Sequence, residues 1–213
     1  MAIDPNILKL YLVTDPHLCA QLGVEKTVEA AVRGGVSMVQ LRDKDASTAD
    51  RIALATRLKP ICAQYQVPLV INDDVEAALQ SDVDGVHVGQ GDMAASLART
   101  KIGTDKILGL SVETVEAAKQ TPSNIVDYVG ISPIYPTPTK SDHKPPIGFD
   151  GLATICAASP VYTVAIGGLK ITDCARVMAA GVNGMAVVSA ICGQDNPYDA
   201  AAGLRRSLDA LYL

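Results

Sequence analysis

The chain has 213 residues, of which 48% are hydrophobic, 19% are charged and 4% are aromatic. This aliphatic composition is typical of an α/β protein with one sizeable core. The formal net charge of −5 gives no basic field that would attract nucleic acid. No stretch reaches the ~18 uninterrupted apolar residues of a membrane span, and MAIDPNILKL lacks the basic region and long apolar run of a secretion signal. Five cysteines without a CxxC or Cys/His cluster favour reduced thiols, so we expect a cytoplasmic protein.

Short β-branched runs alternate with amphipathic segments along the whole chain. Eight runs are predicted as strands: Lys9–Thr14, Ser37–Leu41, Pro68–Ile71, Gly85–Val88, Lys106–Leu110, Tyr128–Ile131, Tyr162–Ile166 and Gly184–Val188. Most of them are continuous apolar runs, which is typical of parallel strands covered by helices.

The segment after the second strand is predicted as a helix. Leu54, Leu58 and Cys62 recur at helical spacing and share one face. Ser47 is a candidate N-cap for this helix. Pro60 lies inside the segment and is expected to kink or split it.

Strand–helix alternation repeated eight times fits either a closed barrel or an open doubly wound sheet. The first strand, in LYLVTDPHLC, is not followed by the GxGxxG turn of a dinucleotide-binding sheet. The phosphate-binding signals lie instead near the end of the chain. We therefore predict one α/β domain, a (β/α)8 TIM barrel over residues 1–213, with its active site at the carboxyl ends of the strands.

Polar residues follow the second strand in the run VQLRDKD. Gln40 and Arg42 alternate with Leu41, so they point the same way, and Lys44 follows in the loop. Two cations this close can bind a diphosphate, Arg42 through its fork and Lys44 as a point charge. The alternative is a solvated charged loop.

Carboxylates follow the third and fourth strands. Asn72 and Asp73 come directly after the third strand, and Asp92, which is 19 residues further on, follows the fourth. Adjacent strand ends lie ~4.8 Å apart, so the two carboxylates can hold Mg²⁺ together with substrate phosphate. The alternative is that Asp73 or Asp74 only caps the next helix.

Two further polar residues lie in or after the central strands. His87, inside the fourth strand, is interpreted as a hydrogen-bonded structural residue, with a catalytic role as the alternative. Ser111, after the fifth strand, either contacts a ligand or caps a helix that begins near Glu113.

The stretch Ser132–Phe149 is the one long irregular segment. Thr137, Thr139 and Lys140 offer hydroxyls, backbone amides and a cation within four residues. Such a loop can close over a phosphorylated ligand and exclude water, and the alternative is a plain polar loop.

The last two strands end in AIGGL and VVSAIC. Gly167 and Gly168 allow the backbone to approach a phosphate closely, and Ser189 is expected to open a short helix. Loops seven and eight form the recurring phosphate site of phosphate-binding barrels, so this pair predicts such a site.

The order and spacing of these motifs resemble one known family. LYLVTD, QLRDK, IND, HVGQGD, TPTK, IGG and VVSAI together make the chain similar to thiamine-phosphate synthases over essentially its whole length. The sequence departs from the family pattern at Gly91, where an acidic residue is common, and at Ser132, where Gly is common. Both departures concern loop geometry.

The resemblance implies a role for each site residue. The pyrimidine diphosphate substrate would be held by Gln40, Arg42, Lys44, Asn72, Ser111 and Lys140. The thiazole phosphate substrate would meet Thr137, Thr139, Gly168, Val188 and Ser189. Asp73 and Asp92 would hold Mg²⁺, and a homo-oligomer is left open.

The resemblance also implies a reaction. The thiazole nitrogen attacks the pyrimidine methylene carbon and diphosphate leaves, by a dissociative route that needs no strong base. Arg42, Lys44 and Lys140 would act catalytically by neutralising the leaving group. Three rival functions remain: the related thiazole tautomerase, a sugar-phosphate isomerase or epimerase, and a catalytically silent sensor of phosphorylated ligands.

Overall fold

The computed structural model describes residues 3–136 and 145–211. Parallel strands close into a barrel in sequence order, with β1 paired to both β2 and β8. The strands are β1 Leu10–Val13, β2 Met38–Leu41, β3 Leu69–Asn72, β4 Gly85–Val88, β5 Ile107–Val112, β6 Tyr128–Ile131, β7 Tyr162–Ile166 and β8 Gly184–Val187. The predicted (β/α)8 barrel is confirmed, and the predicted and observed strand ends differ by at most two residues.

Helices follow the strands on the outside of the barrel. The α-helices are α1 Val24–Arg33, α2 Thr48–Gln64, α3 Val75–Gln80, α4 Ala95–Ile102, α5 Val115–Lys119, α6 Gly148–Ala158, α7 Cys174–Ala179 and α8 Pro197–Asp209. Short 3-10 helices lie at Pro5–Leu8 and Ile171–Asp173. Within the described ranges, no helix combines the length and the apolar character that crossing a bilayer requires.

Alternate residues along the strands belong to two different packed layers. Leu10 and Leu12 of β1 belong to the large layer between strands and helices. Tyr11 and Val13 belong to a smaller cluster inside the barrel. This alternation follows from the two-residue period of a strand, and it turns one side chain in two toward the barrel axis.

Helix α2 runs through its proline. Ser47 caps it as predicted, with its Oγ accepting a hydrogen bond from Asp50 N at 3.2 Å. Pro60 does not split the helix, which continues to Gln64, so that alternative is wrong. Pro60 cannot bond to the Thr56 carbonyl, but both residues are exposed, and water can bond to the freed carbonyl.

The residue just before each even-numbered strand closes the amino-terminal rim of the barrel. Its side-chain oxygen accepts a hydrogen bond, at 2.7 to 2.9 Å, from a backbone N–H near the start of the preceding odd-numbered strand. The donor–acceptor pairs are Leu10–Ser37, Leu69–Asp84, Leu108–Asp127 and Thr163–Asn183. This hydrogen bond therefore recurs every two strand–helix units, and each copy provides an acceptor for a backbone N–H at the barrel end.

Asp127 also accepts a hydrogen bond from an arginine at this rim. Arg99 of α4 donates to Asp127 Oδ2 at 2.7 Å and also donates to the carbonyls of Ile125, Gly103 and Lys106. The side chains of Arg99 and Asp127 are only 14% and 19% exposed. A single carboxylate thus joins β5, β6 and α4 in a partly desolvated place.

We expect Asp127→Ala to lower the free energy of unfolding by about 3 kcal/mol, measured by urea titration. The change leaves Leu108 N and the largely desolvated Arg99 guanidinium without this acceptor. Glu25→Ala is the matched control, because its bond to Arg57 is also 2.7 Å long but joins side chains that are 39% and 56% exposed. The control should lose less than about 1 kcal/mol, and equal losses would contradict the argument.

Candidate active site at the carboxyl rim

A cavity of about 510 Å³ opens where the strands end. Every predicted site residue that the structure describes lines it: Gln40, Arg42, Lys44, Asn72, Asp73, Asp92, Ser111, Gly168, Val188 and Ser189. Thr137, Thr139 and Lys140 lie outside the described residues. The barrel therefore brings the described candidates together from loops that are far apart in sequence.

The end of β2 is fixed by a buried threonine that the sequence reasoning missed. Thr14 N donates to Gln40 O at 3.0 Å, and Arg42 N donates to Thr14 Oγ1 at 3.0 Å. The Thr14 hydroxyl also donates to the Arg42 carbonyl at 3.3 Å. These bonds extend the β1–β2 pairing beyond the strands, so the backbone of Arg42 is held although its side chain reaches the cavity.

Arg51 of α2 braces the loop that carries Lys44. Its guanidinium donates to the carbonyls of Asp43 at 2.9 Å and Lys44 at 3.3 Å, and to Asp74 Oδ2 at 3.0 Å. Asp74 in turn caps α3 by accepting from Ala77 N at 2.9 Å. The loops after β2 and β3 are therefore held together by hydrogen bonds. Of the two aspartates considered as caps of α3, Asp73 and Asp74, it is Asp74 that caps the helix.

Asp73 faces the cavity from a strained backbone. Its φ is +63°, a left-handed conformation that is uncommon outside glycine and clusters at functional sites. Asp73 N donates to the His87 carbonyl at 2.8 Å, and Asn72 Nδ2 donates to Asp73 Oδ2 at 2.6 Å. Asp92 accepts a hydrogen bond from Gly89 N at 2.8 Å.

The Asp73 and Asp92 carboxyl groups interact directly. Burial, followed by the hydrogen bond and negative charge of Asp92, raises the pKa of Asp73 to about 7. The hydrogen bond from Asn72 and the charge of Lys44 oppose this rise. Two carboxylates that cannot both ionise easily are well suited to a cation that replaces the shared proton.

The donor set fits a hard divalent cation such as Mg²⁺. Within the described part of the chain, no three His, Cys, Asp or Glu residues converge as a complete metal site. Structural zinc needs four such ligands, whereas Mg²⁺ takes one or two carboxylates and completes its shell with water and substrate phosphate. Asp73 and Asp92 are therefore the residues that can hold the ion.

Ser111 does not cap a helix. Thr114 caps α5 by accepting from Ala117 N at 3.1 Å, so the cap interpretation of Ser111 is wrong. Ser111 Oγ instead lies 3.0 Å from His87 Nε2 and lines the cavity. The other ring nitrogen of His87, Nδ1, lies 2.9 Å from the hydroxyl of Tyr128. Both ring nitrogens are thus partnered, which agrees with the structural interpretation of His87.

Two glycines bring the backbone after β7 close to the loop after β6. Gly167 and Gly168 have φ of +112° and +73°, where other residues are strained. A Cβ on Gly167 would lie 2.8 Å from Pro133 Cα, and one on Gly168 would lie 2.8 Å from Tyr135 Cβ. Neither position can accept a side chain without moving its neighbour.

The segment after β8 is a single turn rather than the short helix expected at Ser189. Ile191 N and Cys192 N both donate to the Val188 carbonyl, at 3.0 and 2.8 Å. Gly193 follows with φ of +77°, which ends the turn before a second one forms. The prediction of a helix is therefore wrong, although Ser189 still lines the cavity.

Several cavity residues were not predicted from the sequence. Tyr11, Tyr128, Gln90 and Glu113 line the cavity, and Gln90 Nε2 donates to the Ser111 carbonyl at 2.9 Å. Strand alternation is the signal that could have found the tyrosines, because it turns every second residue of β1 and β6 inward.

A closed parallel barrel with cations, paired carboxylates and two glycine-containing loops on one rim defines a phosphate-binding TIM-barrel enzyme. Residues 10–191 match the family described as thiamine monophosphate synthase. A thiamine-phosphate synthase of Psychrobacter sp. is 48% identical over 92% of this chain and 93% of its own, and one of Albidiferax ferrireducens is 44% identical over 96% and 93%. The solved thiamine phosphate pyrophosphorylase from Pyrococcus furiosus is 31% identical, with a TM-score of 0.88 over 97% of this chain and 98% of that one. The chain belongs to the thiamine monophosphate synthase family.

The paired carboxylates predict a pH-dependent stability in metal-free protein. The folded state holds a proton at Asp73 that the unfolded chain releases near pH 3.8, so stability falls as the pH rises from about 4 to about 7. Asp92→Asn removes the repulsion and keeps an oxygen for Gly89 N. At pH 8 with chelator, we expect its melting temperature to exceed that of the wild type by roughly 2–4 °C, or about 1 kcal/mol.

Calorimetry at two pH values checks this prediction. At pH 4 the wild-type pair retains a proton, so the difference between the two proteins should largely disappear. A variant that is less stable than the wild type at pH 8 would show that the two carboxylates do not repel.

Proposed function

We propose that this chain performs the family reaction with Mg²⁺ as its required cation. The reaction joins 4-amino-2-methyl-5-(diphosphooxymethyl)pyrimidine to 4-methyl-5-(2-phosphooxyethyl)thiazole and yields thiamine phosphate and diphosphate. The observation that carries the proposal is that Arg42, Lys44 and the Asp73–Asp92 pair share one cavity with the Gly167–Gly168 turn. One cavity thus offers separate places for a metal diphosphate and a second phosphate.

The proposed contacts divide the cavity into two halves. The pyrimidine diphosphate half consists of Gln40, Arg42, Lys44, Asn72 and Ser111, with Lys140. The thiazole phosphate half consists of Gly168, Val188 and Ser189, with Thr137 and Thr139. The halves come from different arcs of the barrel, β2 to β5 and β7 to β8, so the thiazole nitrogen can approach the methylene carbon from one side while diphosphate leaves from another.

The leaving group sets the main electrostatic demand. As the bond from the methylene carbon to diphosphate oxygen breaks, negative charge grows on that oxygen, and the thiazole nitrogen lone pair forms the new C–N bond. Arg42 and Lys44 face this charge, and a well-placed group of this kind typically contributes about 3–4 kcal/mol. When bound, Mg²⁺ would neutralise further diphosphate oxygens.

No proton has to leave the thiazole nitrogen, so the reaction needs no general base. This agrees with the position of His87, whose ring nitrogens are both engaged by Tyr128 and Ser111. In the dissociative route, water would compete for the pyrimidine cation. The apolar wall formed by Val13, Val164 and other cavity residues limits that competition.

The rival functions fit this cavity less well. A thiazole tautomerase works on one phosphorylated ring and has no use for paired cations that face paired carboxylates. A sugar-phosphate isomerase or epimerase needs an acid–base pair, and the interior histidine is engaged on both sides. A silent sensor would keep the cavity but not turn over.

The assay mixes purified protein, Mg²⁺ and both phosphorylated substrates, and it follows thiamine phosphate and diphosphate by chromatography. We expect both products in equal amounts, and none when chelator replaces Mg²⁺ or either substrate is omitted. Folded protein that binds the thiazole phosphate in calorimetry without turnover would instead identify a sensor. Isomerisation of the thiazole alone would identify a tautomerase.

Asp92→Asn tests the proposed metal site with Mg²⁺ present. We expect turnover to fall by about 10²-fold, because one of the two carboxylates that hold the cation is lost. Asp105→Asn is the matched control, since this exposed carboxylate precedes β5 at the opposite rim and should leave kinetics unchanged. Wild-type kinetics and magnesium dependence in Asp92→Asn would remove Asp92 from the site.

We further propose a cytoplasmic location. It is supported by Cys19, Cys62, Cys156, Cys174 and Cys192, which are all free thiols. A reducing compartment maintains thiols in this state.

A further inference from the structure

Five polar side chains cross the barrel interior at the base of the cavity in one hydrogen-bonded sequence, which we name the interior network. Its members, in order, are Gln40 of β2, Tyr11 of β1, Tyr128 of β6, His87 of β4 and Ser111 of β5. The successive donor–acceptor distances are 2.6, 2.8, 2.9 and 3.0 Å. All five members line the cavity, and the two ends belong to the proposed pyrimidine diphosphate half.

The interior network lies in the closely packed centre of the barrel. Tyr11 and Tyr128 are among the largest fully buried side chains. A Cβ on Gly109 of β5 would overlap His87 Nδ1 and the hydroxyl of Tyr128, so only glycine permits their contact. No buried polar side-chain atom in the described ranges lacks a hydrogen-bond partner, which meets the demand that a buried network be fully satisfied.

The interior network has a direction, because each phenol has only one proton. With Gln40 Nε2 donating to Tyr11, the Tyr11 hydroxyl can donate to the Tyr128 hydroxyl, 2.8 Å away. In that arrangement the Tyr128 hydroxyl donates to His87 Nδ1. Burial raises the pKa of both phenols, so both remain protonated.

The direction continues through the imidazole. A neutral His87 that accepts at Nδ1 carries its proton on Nε2 and donates it to Ser111 Oγ. Ser111 then keeps its own hydroxyl proton for the cavity. At the other end, Gln40 uses its amide nitrogen for Tyr11, so the group that it can offer to the cavity it lines is its carbonyl oxygen, an acceptor.

We propose that Tyr11, Tyr128 and His87 are positioning residues, which hold Gln40 as an acceptor and Ser111 as a donor toward the pyrimidine diphosphate. The identity of this ligand rests on the proposed function, whereas the direction of the interior network does not. A hydroxyl donor suits an anionic diphosphate oxygen, and a carbonyl acceptor suits an N–H group on the ring. The network thereby gives the two ends opposite hydrogen-bonding characters without adding charge to the barrel.

The tautomer of His87 reports the direction of the network in ligand-free protein. The chain has three histidines, so ¹⁵N-histidine labelling gives three rings, which His17→Gln and His143→Gln assign. The spectra are recorded at pH 8.5, about two units above the ~6.5 at which free imidazole titrates. Long-range proton–nitrogen NMR spectra should show His87 with its proton on Nε2, and a proton on Nδ1 would overturn the proposal.

Two tyrosine variants separate positioning from packing. Tyr128→Phe removes the donor to Nδ1, so we expect the Nε2–H form to lose its dominance as Ser111 turns its proton toward the ring. Tyr11→Phe leaves the bond from Tyr128 to Nδ1 in place, so the tautomer should be retained while the Gln40 amide loses its anchor. Tyr162→Phe is the control, because Tyr162 pairs with Tyr128 in register on β7 but lies outside the network.

Kinetics complete the test. Tyr128→Phe and Tyr11→Phe should each raise the KM for the pyrimidine diphosphate about tenfold, which is the usual effect of one misdirected hydrogen bond. The KM for the thiazole phosphate should stay unchanged in both variants, and Tyr162→Phe should change neither constant. Unchanged KM values in both network variants, or equal rises for both substrates, would overturn the positioning role.

These outcomes remain separable from the proposed function. A wild-type protein without turnover, but with the Nε2–H tautomer, would refute the reaction and leave the direction of the network intact. If Tyr128→Phe does not fold, the wild-type tautomer and the Tyr11→Phe kinetics still decide the proposal.

Discussion

Closure of the barrel is the constraint on which the rest of this structure depends. Because β8 pairs with β1 in the same parallel sense as every other pair, the sheet has no edge and all the strands end on one rim. Side chains as distant in sequence as Gln40 and Ser189 therefore reach a single cavity. The opposite rim lies away from the cavity, and its alternating hydrogen bonds to strand N–H groups contribute to stability.

The functional rim is locally unfavourable in the absence of ligands. Asp73 has a left-handed backbone, and its carboxyl group is crowded against that of Asp92. Arg42 and Lys44 add positive charge to the same cavity. A cation between the carboxylates would relieve their repulsion. Binding energy and folding stability are thus opposed here, as is common where a site is held ready for charged ligands.

The strands were predictable because continuous apolar runs are a local signal, and the carboxyl-rim residues follow from the strand ends. Whether Asp73 or Asp74 caps α3 could not be decided from the local sequence. Asp74 becomes the cap because Arg51 and Thr48 of α2 engage it, which depends on how two helices pack. Ser111 was undecidable from its neighbours, since a hydroxyl after a strand suits both a cap and a ligand contact.

The interior network was beyond local inference for a stronger reason. The contact between Tyr11 and Tyr128 spans 117 residues and exists only because the barrel closes. In a single sequence, each tyrosine is an ordinary strand residue whose hydroxyl has no visible partner. The glycine at 109 gives no clue by itself either, because the side chains that need its space come from other strands.

The location of each polar group on the barrel matches the task proposed for it. Charged groups such as Lys44 stand on loops, where long side chains can follow a leaving diphosphate. The neutral groups at Gln40 and Ser111 begin within strands and are joined through the barrel axis, so they can shift only if the core repacks. A positional error at a neutral hydrogen bond weakens it steeply, whereas a point charge tolerates displacement. The barrel interior therefore supplies geometry to the site, and the long charged side chains at the rim supply charge.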